Sequence, residues 1–329
     1  AMKRSELSAW IGVVLLVLCT MGAAAQQKYT LAIHGGAGVL SKERMPAGRQ
    51  QEYLRHLDRA LTLGDSVLRQ GGTSADAVVS VISYLEDCPL FNAGRGAVFT
   101  HSGKNELDAS IMDGATLKAG AVAGATRIKN PIVAARAVMD HSEHVLLSGK
   151  GTTQFAREQG LTLVPNRYFS TRERKESLKK LQKQQRRRQE ADNHGTVGCV
   201  AVDIYGNLCA GTSTGGMTGK KYGRIGDSPI IGAGTYADNK TCAVSCTGHG
   251  EYFIRLTVAR DVAALMEYRQ MSLQQASDRV MAKLTNLGGT GGFVAVDAAG
   301  NVVLPFNTSG MFRGFVSSAG EKEIAIFTD

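Results

Sequence analysis

His194-Gly195-Thr196-Val197-Gly198 stands where a polar, charged segment gives way to a dense β region. Thr196 opens a strand that runs through Val200-Ala201-Val202 into Asp203-x-x-Gly206-Asn207 and a second apolar stretch. Two apolar runs joined by an Asp/Gly/Asn turn read as a β-hairpin. The pattern returns as Val294-Ala295-Val296-Asp297-x-x-Gly300-Asn301, so this half carries two such hairpins. Each second strand ends in small hydroxyl residues before glycine, Thr212-Ser213-Thr214-Gly215 and Thr308-Ser309-Gly310. Further strands are expected at 230–235, 240–246 and 323–328, and helices at about 250–267 and 273–284.

Upstream, Tyr29 to His34 reads as a strand running into Gly35-Gly36-Ala37-Gly38. Helices are expected over 47–70, from Ser74 to about Glu86, from Asn130-Pro131 through Met139, and over 151–159, with a short strand from His144 to Leu147. Strands come together and helices come in pairs, which implies two sheets sandwiched between helix layers. The chain has 329 residues, 43% hydrophobic and 20% charged, so wholesale disorder and collagen-like repeats are excluded. Its 39 glycines against 6 prolines lie among apolar runs and suggest tight turns. Gly35-Gly36-Ala37-Gly38 and Gly288-Gly289-Thr290-Gly291-Gly292 are read as turns rather than cofactor cradles.

The net charge of +9 suggests a nucleic-acid partner until it is located. Residues 169–193 hold nine Lys or Arg against four acids, so they carry +5 of it, and Lys3, Arg4 and Glu6 carry +1. The remaining +3 is unremarkable, and no nucleic-acid partner is expected. With only Phe169, Leu178 and Leu181 as large apolar residues, this segment is expected to be a disordered linker.

Lys3 and Arg4 precede an apolar run from Trp10 to Met21 and the small residues Ala23-Ala24-Ala25. That is the layout of a secretory signal peptide, residues 1–25, cut after Ala25. The run is shorter than the ~20 residues a spanning helix needs. A secreted or periplasmic protein with no membrane partner after signal removal is expected. Setting aside Cys19 leaves five cysteines, an odd number. Cys242 and Cys246 would lie roughly 13 Å apart on an extended strand, beyond disulfide reach.

There is no HExxH, Walker loop or GxGxxG. Gly211-Thr212-Ser213-Thr214-Gly215 formally matches the G-x-S-x-G of α/β-hydrolases, and Asp227 and His249 follow in the right order. That elbow must open a helix, which Gly216-Met217-Thr218-Gly219 does not do well. Thr196 offers a sharper chemistry. A Thr hydroxyl is a weak nucleophile that needs an adjacent base. If the Gly195–Thr196 bond is cut, Thr196 gains an α-amine with a reference pKa of ~7.7–8, and nucleophile and base share one residue.

These residues resemble the plant-type asparaginase/isoaspartyl peptidase family of N-terminal nucleophile hydrolases. The resemblance rests on His194-Gly195-Thr196-Val197-Gly198, Thr212-Ser213-Thr214-Gly215-Gly216-Met217, Gly223-Arg224-Ile225-Gly226-Asp227-Ser228-Pro229 and Ser245-Cys246-Thr247-Gly248-His249-Gly250-Glu251. It extends upstream to Ile33-His34-Gly35-Gly36-Ala37-Gly38, Asn92-Ala93-Gly94-Arg95-Gly96 and Glu106-Leu107-Asp108-Ala109. It implies an α+β fold, the four-layer αββα sandwich, as one globular domain over 26–329. It also implies an α subunit of 26–168, a linker of 169–195 and a β subunit of 196–329, assembled as a dimer of αβ heterodimers.

The implied reaction is hydrolysis of the L-asparagine side-chain amide and of β-aspartyl dipeptides through an acyl-enzyme. By carry-over, Thr196 is the nucleophile and, through its amine, the base, and Thr214 tunes its hydroxyl. Thr247 Oγ1 and the Gly248 N–H form the oxyanion hole. Arg224 grips the substrate α-carboxylate with help from the Gly250 backbone, and Asp227 binds the α-ammonium. Asn92 positions the cleavage site at Gly195 and Thr196. No cofactor is implied for catalysis. A structural sodium is implied, held by carbonyls of Leu85, Glu86, Cys88, Phe91, Ala93 and Arg95. Alternatives are a glycosylasparaginase, a Ser-dependent hydrolase, or a secreted protein whose basic segment binds polyanions. The last alternative makes residues 172–190 essential, whereas the enzyme reading leaves turnover independent of them once maturation occurs.

Overall fold

The computed structural model describes residues 28–38, 40, 42–43, 45–185 and 195–328. The expected signal peptide, Cys19, His194 and residues 186–193 of the linker lie outside the described residues. Strand β1 (Thr30–Gly38) sits in the middle of the larger sheet. It pairs antiparallel with β5 (Val197–Val202) on one side and β11 (Gly310–Ser317) on the other. The glycines after His34 are therefore strand rather than turn, and the register shifts between His34 and Gly36.

The hairpin expected from Val200 to Asn207 forms between β5 and β6 (Leu208–Thr214). Asp203 builds its turn. Oδ1 accepts from the Tyr205 and Asn207 N–H groups, and Oδ2 accepts from the Ser74 N–H at 2.9 Å. One carboxylate thus closes the hairpin and pins the start of a helix to it. The sheet continues through β2 (Leu107–Asp113), β3 (Ala119–Ala125) and β4 (Leu146–Ser148), and its far edge is β12 (Lys322–Phe327). β2 and β3 are absent from the sequence expectations because Ala and Gly dominate β3, and both have low β-propensity.

The smaller sheet has the order β10-β9-β8-β7, with β7 (Thr235–Ala237), β8 (Cys242–Gly248), β9 (Gly291–Asp297) and β10 (Val302–Val303). The second echoed hairpin is β9–β10, and its return strand is only two residues long. Thr308 and Ser309 do not end that strand but precede β11 of the other sheet. The strand expected at 230–235 begins only at Thr235.

Helices α1 (Ala47–Arg69), α2 (Ser74–Asp87) and α3 (Pro131–His141) bury Leu57, Leu61, Val78, Ile82 and Ile132 against the larger sheet. Thr73 caps α2 by accepting from the Asp76 N–H, and Pro131 opens α3 where its missing N–H costs nothing. A Cβ on Gly120 of β3 would lie 2.1 Å from the Ala135 carbonyl oxygen, so only glycine lets α3 approach that strand. Between the sheets, Ala32, Val200, Ala210, Ala243, Val294 and Val296 form a second core of small and β-branched side chains. The third core lies under α6 (Gly250–Leu256), α7 (Val258–Arg269) and α8 (Leu273–Asn286), where Phe253, Val262, Val280 and Phe293 pack. The layers are helix, sheet, sheet, helix, the expected αββα sandwich. The single helix expected over 250–267 is broken at Thr257, whose φ is 47°.

The linker expectation needs correction. After α4 (Lys150–Glu158) and a short 3-10 turn at Asn166–Phe169, helix α5 spans Arg172–Gln185. The segment's three large apolar residues, Phe169 before the helix and Leu178 and Leu181 within it, are too few to order a free segment, but all three are buried against the body. A Cβ on Gly219 would lie 2.6 Å from Leu181 Cδ2, so the missing side chain there makes the seat for Leu181. Arg49 pairs with Glu173 at 2.7 Å. The five described cysteines, Cys88, Cys199, Cys209, Cys242 and Cys246, are all buried free thiols. Among the described residues no helix is long and apolar enough to cross a membrane.

Ile82 is fully buried between α2 and β6, where a Cβ on Gly211 would approach its Cδ1 to 2.9 Å. In an uncut Thr196→Ala chain, Ile82→Ala should lower unfolding free energy by about 2–5 kcal/mol, read from urea denaturation. A loss well under 1 kcal/mol would mean that this helix does not cover the sheet as described.

Candidate active site

Thr196 lies at the entrance of β5, nearly buried. The pairing of Val197 with Ser213 brings Thr214, the last residue of β6, beside it. The Thr196 hydroxyl donates to Thr214 Oγ1 at 3.2 Å, and Thr214 donates in turn to the Gly195 carbonyl at 3.0 Å. Thr214 Oγ1 also accepts from the Gly216 N–H at 2.9 Å, so its one proton and two lone pairs are all engaged.

Asn92 supplies the second donor to the Gly195 carbonyl. It sits in the irregular loop that follows α2, and its Nδ2 reaches the Gly195 and Gly216 carbonyls, each at 2.7 Å. Its Oδ1 accepts from the Val98 N–H at 2.9 Å, which fixes which end of the amide is which. The carbonyl before Thr196 is therefore polarised by two side-chain donors.

Beneath the nucleophile lies a feature that the sequence analysis left without a role. His34, fully buried in β1, contacts the Thr196 carbonyl through Nδ1 and Ser245 Oγ through Nε2, both at 3.0 Å. Burial pushes its imidazole down to about 3, so the ring is neutral. A carbonyl only accepts, so Nδ1 carries the proton and Nε2 accepts from Ser245. Thr212, Thr235 and Ser110 continue the chain at 2.7, 2.6 and 2.8 Å, and Ser245, Thr212 and Ser110 also lie 3.0, 3.1 and 2.6 Å from the Gly211, Gly234 and Ser228 carbonyls.

The other predicted side chains close a small cavity against Thr196. Thr214, Gly216, Arg224, Asp227 and Gly248 line it, and its volume is about 10 Å³ in the uncut chain. Arg224 places Nε and Nη2 on the two oxygens of Glu251 at 2.9 and 2.8 Å. Those bonds pull the Glu251 carboxyl down to about 2. Glu251 is the clamp partner that spacing alone did not reveal. Asp227 is buried, its Oδ2 has no hydrogen-bond partner among the described residues, and desolvation pushes its carboxyl up to about 7. A Cβ on Gly250 would come within 2.7 Å of Asp227 Oδ1 and 2.9 Å of Arg224 Nη2, so glycine there lets the backbone approach both. Gly248, at φ 149°, ends β8, and a Cβ on it would meet the Thr290 carbonyl oxygen at 2.4 Å. Thr247 is buried beside it, and its Oγ1 accepts from the Ala37 N–H at 3.3 Å.

Ser213 is not placed as an elbow nucleophile. It is buried within β6, points to the opposite face from Thr214 and donates to Glu86 Oε1 at 2.6 Å. His249 Nε2 lies 3.2 Å from Glu251 Oε2 rather than at Ser213.

The six residues expected around a cation fall in the last turn of α2 and the loop after it. Gly94 and Gly96, at φ 47° and 119°, give this loop its irregular course. The Leu85 carbonyl accepts from the Cys88 N–H and that of Glu86 from the Arg95 N–H, which leaves each a free lone pair. Among the described residues no cluster of His, Cys, Asp or Glu could hold a metal ion, so any cation here would rely on neutral carbonyls.

A double sheet faced by helices, with Thr heading an inner strand behind a polarised carbonyl, defines the class of N-terminal nucleophile hydrolases. Within that class the chain belongs to the asparaginase family, whose sequence pattern matches residues 27–326. It is 49% identical over 297 residues to the isoaspartyl peptidase of Escherichia coli K12, covering 88% of this chain and 92% of the relative. It is 44% identical over 332 residues to a probable isoaspartyl peptidase/L-asparaginase 2 of Arabidopsis thaliana, with 91% and 99% covered. The human isoaspartyl peptidase/L-asparaginase is 40% identical over 286 residues, with 85% and 91% covered.

The orphaned Asp227 carboxyl has a consequence for stability. Its ordinary pKa of 3.8 rises to about 7 on burial, so between those values the unfolded chain releases a proton that the folded chain keeps. The Asp227 contribution to stability should therefore fall as pH rises from 4 to 7 and then level off. In the Thr196→Ala background, Asp227→Asn should gain melting temperature over its parent across that interval. A gap between the two that does not change with pH would show that Asp227 is ionised in the fold.

Proposed function

We propose that the chain cuts itself between Gly195 and Thr196 and then hydrolyses the side-chain amide of L-asparagine and the isopeptide bond of β-aspartyl dipeptides. The observation that carries this is the Gly195 carbonyl, held by Asn92 Nδ2 and Thr214 Oγ1 with the Thr196 hydroxyl beside it. Attack by Thr196 Oγ1 on the Gly195 carbonyl carbon places negative charge on the oxygen that both donors already face. A donor so placed is typically worth about 3–4 kcal/mol in the transition state. The Gly195–Thr196 C–N bond breaks as its nitrogen takes a proton, leaving an ester on Thr196 Oγ1. Water hydrolyses that ester, freeing the Gly195 carboxylate and the Thr196 α-amine.

The new amine is the base for turnover, and the neutral His34 keeps hold of the Thr196 carbonyl while the N-terminus is freed. A cavity of about 10 Å³ holds roughly one water, so departure of Gly195 must open it for substrate. The substrate α-carboxylate then competes with Glu251 for the planar fork of Arg224. The α-ammonium goes to the unpartnered Asp227 oxygen, which it would draw back into the ionised form. Thr247 Oγ1 and the Gly248 N–H receive the oxyanion. Thr196 displaces ammonia or the dipeptide's second residue, and water releases aspartate from the acyl-enzyme.

The remaining parts of this reading rest on sequence. Residues 1–25 act as an export signal, which places the processed enzyme in the periplasm or outside the cell. The processed subunits pair as a dimer of αβ heterodimers. A sodium ion held by the carbonyls of Leu85, Glu86, Cys88, Phe91, Ala93 and Arg95 would stiffen the loop that carries Asn92. The free lone pairs on Leu85 and Glu86 suit a hard monovalent cation.

Intact mass and N-terminal sequencing test the cleavage. The smaller fragment should read Thr-Val-Gly-Cys, and Thr196→Ala should stay uncut and inactive. An active enzyme purified as one uncut chain would overturn the mechanism. For substrate, ammonia release from L-Asn and leucine release from β-Asp-Leu should far exceed activity on L-Gln or α-Asp-Leu, because one methylene moves the attacked carbonyl away from Thr196. Activity confined to glycosylated asparagine would move the chain to the glycosylasparaginase branch.

Among the described residues both side-chain hydrogen bonds of Arg224 go to Glu251 and neither to Gly195 or Thr196, so Arg224→Ala should still be cut. Its KM for L-Asn should rise at least about 30-fold, the equivalent of about 2 kcal/mol for a lost buried charge contact. An unchanged KM would remove Arg224 from the clamp.

A further inference from the structure

Helix α5 grips the loop that presents Asn92. Arg174 donates Nε to the Gly96 carbonyl at 2.9 Å and Nη2 to the Leu90 carbonyl at 3.2 Å. Leu90 and Gly96 lie on either side of Asn92. The Gly96 N–H donates to the Phe169 carbonyl at 3.0 Å, so the chain just before α5 holds the same point from the other direction. Arg174, Asn92 and Gly195 line one cavity of about 160 Å³, separate from the smaller cavity that Gly195 lines with Arg224 and Asp227. Further along the helix, Leu181 fills the space over Gly219 and Gln182 reaches the His101 carbonyl at 3.3 Å.

We propose that Arg174 is a positioning residue for self-cleavage: its guanidinium ties both ends of the Asn92 loop so that Asn92 Nδ2 stays on the Gly195 carbonyl. The inference rests on the cleavage proposed above and adds a role for a segment whose composition suggested a dispensable linker. The loop has no ladder of its own to hold its shape. A planar fork with two charge-assisted bonds defines the separation of two carbonyls, which an ammonium or a single hydrogen bond does not. Asn92 acts on a carbonyl where charge develops, so a displacement near 1 Å can cost about 100-fold in rate. Arg174, Leu90 and Gly96 all lie on the N-terminal side of the cut, so the contact stays within one fragment and leaves α5 docked in the processed enzyme.

The test follows conversion of one chain to two after synthesis in a cell-free system, by gel and intact mass. Arg174→Ala should cut at least about 10-fold more slowly than the parent, and Arg174→Lys should fall between them because one ammonium can reach one of the two carbonyls. Lys180→Ala, an exposed change on the same helix, should cut at the parent rate. Leu178→Ala, which weakens helix packing without touching the fork, controls for general destabilisation. Melting temperatures of both changes in the Thr196→Ala background set the comparison. At a comparable loss of melting temperature, Leu178→Ala should cut near the parent rate and Arg174→Ala should not. Parent-rate cutting by Arg174→Ala, or equal slowing by both, would overturn the inference while leaving the cleavage itself intact. A parent chain that never cuts would overturn the cleavage reading and this inference with it.

Discussion

One carbonyl oxygen, that of Gly195, organises the site. It receives two donors from parts of the chain far apart in sequence, Asn92 from the loop after α2 and Thr214 from the end of β6. Thr214 can reach it only because β5 and β6 pair in the register that sets Val197 opposite Ser213. A slip of one residue would turn Thr214 to the opposite face and bring Ser213 round in its place. The turn built by Asp203 pins that register, and the same carboxylate ties the start of α2, the helix that leads to the Asn92 loop. Nucleophile, relay hydroxyl and amide donor are thus aligned through a single carboxylate some distance from the chemistry.

The substrate side follows different physics. Asp227 is buried without a partner for one of its oxygens, and Arg224 is occupied by Glu251. An uncompensated buried carboxyl costs stability, and natural folds keep such groups where a ligand completes them. The two groups proposed as the substrate clamp thus differ, Arg224 being satisfied by Glu251 and Asp227 having one oxygen without a partner among the described residues. In the substrate role proposed for this pair, an amino acid zwitterion would bring a carboxylate to replace Glu251 on Arg224 and an ammonium for Asp227, whereas a simple anion or a simple amine would bring only one of the two.

A row of buried hydroxyls runs from Ser110 through Thr235, Thr212 and Ser245 to His34. Each group is buried, and the Ser228, Gly234 and Gly211 carbonyls give its hydroxyls further acceptors. The row crosses between the sheets and ends on the carbonyl of the nucleophile itself. It sets the Thr196 main chain independently of the bond that is to be broken. That independence matters for a residue that must stay in place after losing its covalent neighbour.

Much of this protein was legible in its sequence. The Asp/Gly/Asn turn and its flanking apolar runs foretold the β5–β6 hairpin, because alternation and turn chemistry act over a few residues. Thr196 after Gly195 pointed to its own chemistry, because nucleophile and latent base belong to one residue. Other features had no local signal. β3 is built of Ala and Gly and is a strand only because β2 and α3 close on it, and Thr257 breaks a helix that its neighbours would continue. Glu251 as partner of Arg224, the neutral His34 and the grip of Arg174 on the Asn92 loop join residues that sequence spacing does not relate. The segment after Phe169 carries too little apolar surface to order itself, and its composition says so. What composition leaves out is the seat for Leu181 above Gly219, the burial of Leu178 and the two carbonyls offered to Arg174. The sequence by itself determined which residue could attack and which strands would turn back on themselves. Only the tertiary structure decided which donors, charges and helices surround that residue, because burial and partner geometry depend on segments that meet only when the sheets close.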